Sequence, residues 1–151
     1  MNIVRKLIKK RLTLGAVESF TGGGFSNHIT NIPHASYVFY GSIVSYDPEI
    51  KENVVGVSKE TIERYGTVSK ECAEEMARGG QKLLGSDITI SFTGNAGPSA
   101  SEGKEVGLVY IGMLTKENLD VFELHLKGTR LQIKKQAIAY AVKKIENYLG
   151  I

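Results

Sequence analysis

Ser19, Tyr46, Lys51 and Arg130 are the side chains in this sequence whose types and settings could together support nucleophilic chemistry. A serine hydroxyl attacks poorly until a base takes its proton. The three histidines, His28, His34 and His125, offer no convincing His–Asp pair near a strand end. Lysine is the substitute. Lys51 follows Tyr46 by five residues, so a strand end, a turn and a first helical turn could carry a phenol and an amine into one crevice. To act as a base, Lys51 must be partly buried or near another cation, so that its free amine is populated near neutral pH. Each residue also has a plainer reading. Ser19 can be a turn residue and helix cap, Lys51 a solvated helix lysine, and Arg130 a surface arginine rather than a partner for a phosphate or carboxylate.

Two glycine-rich segments stand near these residues. In Thr21-Gly22-Gly23-Gly24 the absent side chains would let backbone N–H groups approach an anion, with a helix N-terminus behind them. The segment lacks the closing Gly-Lys-Ser/Thr of a Walker A loop and is not Gly-x-Ser-x-Gly. Thr93-Gly94-Asn95-Ala96-Gly97-Pro98 suggests a backbone folded tightly around a ligand, although Gly-Pro pairs also make ordinary turns.

Hydrophobic patterning supplies the elements that must position these groups. Asn2 to Arg11 puts Ile3, Val4, Leu7 and Ile8 on one side of a surface helix. Thr13 to Val17 reads as a strand running into the Ser19 turn, followed by a helix from Phe25 to Thr30 that Pro33 stops. Tyr37 to Tyr46 reads as a second strand with a bulge or close contact at Gly41. Asp47-Pro48 starts a short helix over Glu49 to Val55, and Ser58 caps another over Glu60 to Tyr65. Ser69 begins a longer helix to about Leu84, followed by a strand from Asp87 to Phe92. Val106 to Leu114 and Leu119 to Leu126 form a hairpin. The closing helix, Thr129 to Leu149, directs Leu131, Ile133, Ala137, Ile138, Ala141, Val142 and Ile145 inward. Strands and helices interleaved early, with a hairpin late, predict an α/β fold: a mostly parallel five-stranded sheet with one antiparallel strand and helices on both faces. In such sheets the crevice lies beyond the carboxyl ends of the strands, where both glycine-rich loops would fall.

Bulk properties exclude several classes. The 151 residues suit one domain over 1–151, and the net charge of +3 gives only a mild bias toward anionic partners, not a nucleic-acid footprint. The longest apolar runs fall well short of the roughly 20 residues of a membrane span, and no signal-peptide core is present, so a cytoplasmic location is expected. Cys72 is the sole cysteine, which excludes an internal disulfide framework and thiolate clusters; the histidines have no metal-ligand spacing.

Four ordered blocks, Val17-Glu18-Ser19-Phe20-Thr21-Gly22-Gly23, Ser45-Tyr46-Asp47-Pro48-Glu49-Ile50-Lys51, Thr93-Gly94-Asn95-Ala96-Gly97-Pro98 and Gly128-Thr129-Arg130, resemble the CinA carboxy-terminal-domain family over nearly the whole chain. Without the amino-terminal domain of full-length members, the chain resembles the stand-alone nicotinamide-mononucleotide deamidases often called PncC. The resemblance implies an α/β/α sandwich and a cofactor-independent Ser–Lys amidohydrolase that converts nicotinamide mononucleotide to nicotinate mononucleotide and ammonia. It places Ser19 at the nucleophile, Lys51 at the base, and Tyr46 and Arg130 at the other two active-site positions. A substrate phosphate is expected near the glycine-rich segments, which makes Thr21, Gly22, Gly23, Thr93, Gly94, Ala96 and Gly97 the expected substrate-binding positions. A homo-oligomer, with a dimer favoured, is expected; no metal, nucleic-acid or membrane partner is. Phe20 replaces a usual small residue, Asn95 a usual Ile, Ser99-Ala100-Ser101 a usual Asp-Gly-Gly-type stretch, and Glu105 a usual Pro. These departures carry the alternative reading, a catalytically inactive nucleotide-binding module.

Overall fold

A computed structural model describes residues 1–151. The chain opens with helix α1 (Ile3–Lys10), whose N-terminus is held by the Asn2 side chain accepting the Arg5 N–H at 2.9 Å. Strand β1 (Leu14–Glu18) is buried throughout and leads through the Ser19 turn into helix α2 (Gly24–Thr30). Strand β2 (Phe39–Val44) is shorter than the predicted run from Tyr37 to Tyr46, because Ala35–Tyr37 closes a 3₁₀ turn before it. Pairing shifts from Leu14↔Phe39 to Gly15↔Gly41, which makes Tyr40 the extra residue of a bulge beside the expected glycine.

Helix α3 (Pro48–Ile50) begins with the Asp47 side chain accepting the Glu49 N–H. The predicted helix over Glu49 to Val55 is not regular, since α3 runs into a single π-helical turn at Lys51–Val55 that ends at Gly56. Helices α4 (Lys59–Tyr65) and α5 (Lys70–Leu84) come next, capped by Ser58 and Ser69. The chain finishes with strands β3 (Ile88–Gly94), β4 (Leu108–Leu114) and β5 (Leu119–His125) and helix α6 (Arg130–Leu149). Thr129 and Gln132 form a reciprocal capping box at the start of α6.

The sheet order is β2-β1-β3-β4-β5. β2, β1 and β3 are parallel, while β4 runs antiparallel to both β3 and β5, so one strand opposes the other four. Alternation along the strands divides the residues between two helical layers. Leu14, Ala16, Ile88, Ile90 and Phe92 face the main core, which is closed by Phe25 and Ile29 of α2, Ile3 and Leu7 of α1, and Ile133, Ala137 and Ala141 of α6. On the opposite face α5 lies close, because the sheet presents small residues there. Ser91 donates to the Ala73 carbonyl of α5 at 2.7 Å, and a Cβ placed on Gly112 would lie 2.9 Å from that same oxygen. Gly112→Val should therefore overpack the layer, costing about 1–3 kcal/mol and lowering the thermal midpoint by several degrees in a melt followed by circular dichroism.

Leu131 does not point inward as the helical spacing suggested; it is 67% exposed. It lies in the first turn of α6, on the lip of a groove facing α2, rather than over the sheet where Ile133 is buried.

Candidate active site

The carboxyl end of β1 delivers Ser19 to the rim of the sheet, and the buried Glu18 carboxylate ties that strand end to the start of α2. It accepts the Phe25 and Ser26 N–H groups at 2.9 and 3.1 Å and the Ser26 hydroxyl at 2.5 Å. The turn between strand and helix closes through Gly22 N–H to the Ser19 carbonyl at 2.9 Å and Gly24 N–H to the Thr21 carbonyl at 3.0 Å. Gly22 and Gly23 take φ values of +60° and +96°, the left-handed region that other residues enter at a cost.

Lys51 reaches the same rim from the other side of the chain. Asp47 and Pro48 start α3, and the π-helical turn carries Lys51 at its head, its carbonyl accepting the Val57 N–H at 2.9 Å. The side chain runs inward and is 2% exposed. Its Nζ lies 2.9 Å from Ser19 Oγ, 2.7 Å from the Ser45 carbonyl and 3.2 Å from the Tyr46 carbonyl. Ser45 is itself pinned, since its N–H donates to the Glu18 carbonyl at 2.7 Å and its hydroxyl to the same oxygen at 3.2 Å. The Ser45 carbonyl that seats the amine is therefore held by the strand that presents the serine, and the Tyr46 carbonyl follows it directly in the chain.

Burial disfavours the charged form of Lys51 and holds its pKa below the usual lysine value; Cys72, Asp47 and Glu102 pull weakly the other way. The Cys72 thiol is itself pushed up to about 12 by burial, so it is uncharged near neutral pH and cannot stabilise an ammonium. Glu102 is also heavily occupied. It accepts from the Thr67 N–H and hydroxyl at 2.8 and 2.6 Å and from the Val68 N–H at 3.2 Å, and it pairs with Lys104 at 3.3 Å.

Tyr46 and Arg130 meet at the mouth. Arg130 donates to the Tyr46 hydroxyl at 3.0 Å and to the Gly97 carbonyl at 2.5 Å. The Tyr46 phenol thus faces Arg130, and Tyr46 reaches Lys51 only through its main-chain carbonyl; the ring leaves the strand end toward solvent while the carbonyl turns inward. The four side chains border one pocket of about 240 Å³, whose wall also includes Thr93, Gly94, Ala96 and Gly97. The Thr93 hydroxyl donates to the Thr67 carbonyl at 2.6 Å, which places it in the wall's own bonding.

Thr21, Gly22 and Gly23 border a separate, adjoining groove between α2 and α6. Gly22 N–H is committed to the turn, so it is not the free amide donor that a glycine-rich loop suggested. The Phe20 and Thr21 N–H groups, by contrast, make no hydrogen bond within the protein. Phe20 does not crowd the serine with its ring. The ring is buried edge-on to Phe92, at 6.4 Å between centroids, and belongs to the main core.

Asn95 is a clamp. Its side-chain amide is shared among the carbonyls of Ser101, Lys104 and Glu105 at 3.3, 3.2 and 3.4 Å, and its oxygen accepts the Ser101 hydroxyl at 2.6 Å. Asn95 and Ser101 together fold residues 95–105 back over the pocket wall. Asn95→Ala should cost about 1–3 kcal/mol, because these carbonyls lose their donor. Limited proteolysis should cut within residues 99–105 faster in the variant than in the parent chain.

The fold and site define a three-layer α/β/α domain with a buried serine–lysine pair beyond the carboxyl ends of parallel strands. The family model described as the CinA C-terminal domain matches residues 1–149, and the chain belongs to that family. A competence-damage inducible protein of Bacillus subtilis (strain 168) is 52% identical over 132 residues, covering 87% of this chain and 32% of that protein. One from Caldicellulosiruptor saccharolyticus is 46% identical over 151 residues, covering 97% of this chain and 37% of that protein. The chain thus spans about a third of the length of these relatives. Among solved structures, a CinA superfamily protein of Klebsiella pneumoniae superposes with a TM-score of 0.94 at 27% identity, covering 98% of this chain and 93% of that chain. The competence/damage inducible protein CihA of Agrobacterium tumefaciens superposes with a TM-score of 0.90 at 28% identity, covering 99% and 94%. No helix is long and apolar enough to cross a membrane.

Proposed function

We propose that the chain is an amidohydrolase that deamidates nicotinamide mononucleotide, with Ser19 as nucleophile and Lys51 as base. The observation that carries this reading is the 2.9 Å approach of Lys51 Nζ to Ser19 Oγ, with the amine buried and seated on two main-chain carbonyls. Carbonyl oxygens only accept, so a neutral amine spends its two N–H groups on Ser45 and Tyr46. Its lone pair is left for the serine O–H.

Attack of Ser19 Oγ on the carboxamide carbon transfers the serine proton to Lys51 and places negative charge on the amide oxygen. The unpaired N–H groups of Phe20 and Thr21 supply donors beside the nucleophile, the first from the residue directly after it. Each such donor is worth about 3 kcal/mol in a transition state of this kind. Lys51 then passes its proton to the departing nitrogen, and ammonia leaves with an ester on Ser19. A water molecule, giving its proton to Lys51, attacks that ester; nicotinate mononucleotide departs and Ser19 regains its proton. Arg130, held by Tyr46 and the Gly97 carbonyl, sets the mouth of the pocket and its positive charge.

The test is incubation of the purified chain with nicotinamide mononucleotide, with ammonia and nicotinate mononucleotide quantified together. Equimolar formation of both supports the reading. Binding of the nucleotide without ammonia release identifies the chain as a nucleotide-binding module instead.

A further inference from the structure

The pocket around Ser19 and the groove between α2 and α6 share a rim. Phe20 and Arg130 border the pocket, while the next residues, Thr21 and Leu131, border the groove. The groove is the larger space, about 700 Å³, and none of its lining side chains is a carboxylate. Lys134 enters it one helical turn after Arg130 and forms no ion pair with any carboxylate of the chain. A Cβ built on Gly22 would stand 3.7 Å from Lys134 Nζ, so the ammonium lies over backbone that glycine leaves bare. Thr21 supplies an independent sign. It is 1% exposed, and its hydroxyl is the one buried side-chain polar atom without a hydrogen-bond partner. Buried polar atoms are nearly always paired, so one left open in a residue that lines the same groove as an unpaired cation marks a place where a polar ligand completes the bonding.

We propose that Lys134 anchors the phosphate of a phosphorylated carboxamide substrate in the α2–α6 groove, while the carboxamide enters the Ser19 pocket across the shared rim. This assignment rests on the amidohydrolase reading and adds to it the residue that separates a nucleotide from its dephosphorylated nucleoside. A lysine suits the role as a mobile point charge for a phosphate end, and Ile138 and Ala139 give the groove an apolar side for the rest of the molecule. In the Ser19 pocket Arg130 already gives N–H groups to the Gly97 carbonyl and the Tyr46 hydroxyl, whereas Lys134 in the groove is unpaired.

Steady-state kinetics with nicotinamide mononucleotide and nicotinamide riboside on the parent chain, Lys134→Gln and Lys134→Arg test the proposal. Loss of one charged contact should raise KM for the mononucleotide about tenfold in Lys134→Gln. The preference for mononucleotide over riboside, as a ratio of kcat/KM values, should fall by the same factor, and Lys134→Arg should restore most of it. An unchanged ratio in Lys134→Gln overturns the proposal. Calorimetry with nicotinate mononucleotide supplies an arm that needs no turnover. Weaker binding to Lys134→Gln than to the parent supports the phosphate site even if no ammonia is ever released, in which case the amidohydrolase reading alone fails. Equal binding to both, or no binding to the parent, overturns the site whatever the turnover.

Discussion

Replacing Ser19 by Ala should reduce ammonia release from nicotinamide mononucleotide by roughly 10³-fold or more, the scale on which losing a nucleophile acts in enzymes that work through an acyl intermediate. Lys51→Met should be comparably inactive, because the amine and hydroxyl act as one unit and the effects of such groups do not add. The two substitutions should part company in stability. Ser19→Ala removes a small hydroxyl from a rim that remains otherwise bonded, and its thermal midpoint should stay near that of the parent. Lys51→Met replaces a buried amine with an apolar chain of similar length, removing the desolvation that Lys51 bears in the folded state. Against that gain, the Ser45 and Tyr46 carbonyls lose their donor. A folded, inactive Lys51→Met protein with a cooperative melt shows that the loss belongs to chemistry. A variant that keeps more than a tenth of the parent rate contradicts the role of lysine as base.

The second large effect is on the pH profile. Burial lowers the Lys51 pKa, and the base works only as free amine, so kcat/KM should rise with pH along a limb whose midpoint lies below the ordinary lysine value of 10.5. The sign of the stability change comes from the same shift. Between the lowered folded-state value and 10.5 the unfolded chain binds a proton at this position and the folded chain does not. The Lys51 contribution therefore favours folding increasingly as pH climbs through that window. Below the folded-state value the amine is charged in both states, and the folded protein carries the full cost of burying it. Lys51→Met should abolish this component: the unfolding free energy of the parent minus that of the variant should increase with rising pH, measured by urea denaturation at several pH values. A pH-independent difference would show that Lys51 titrates alike in both states.

The parts legible in the sequence were those set by local rules. The run from Thr13 to Val17, the glycines after Ser19 and the apolar spacing of Phe25 and Ile29 specify strand, turn and helix between Thr13 and Thr30. Ser58, Ser69 and Thr129 announced helix starts because a cap is read from its own neighbourhood. The late hairpin gave the sheet its antiparallel strand for the same reason. The seat of Lys51 was not legible in this way. It depends on a π-helical turn and on two carbonyls, the first of them on Ser45, which is held by Glu18, one residue beyond the strand read from the sequence. No periodicity separates a lysine that turns under the strand end from one that faces water.

Other misreadings have similar causes. Leu131 fits the apolar repeat of α6, but the repeat says nothing about where the helix overhangs the sheet, and there the same face opens onto a groove. Gly22 sits in a loop suited to presenting amides, yet the turn that shapes the loop consumes its N–H. Asn95 and the altered stretch at Ser99-Ala100-Ser101 read as two unrelated departures from the family pattern. In the fold they are one feature, since the amide of the first is bonded to the hydroxyl and carbonyl of Ser101. A polar side chain in that loop is thus accompanied by the partners that satisfy it, and the loop lines the same pocket as Ser19 and Lys51.

The central claim is that burial lowers the proton affinity of the amine beside Ser19, so that its free form can take the serine proton. Carbon-13 labelling of the lysine ε-carbons, with the Lys51 resonance assigned by its absence in Lys51→Met, allows the amine to be titrated directly by NMR. The predicted result is a midpoint displaced well below 10.5 that moves when Ser19 is replaced by Ala. A midpoint at or above 10.5 would mean that the three oxygens around Nζ solvate a permanent ammonium, and such a group could not take the serine proton.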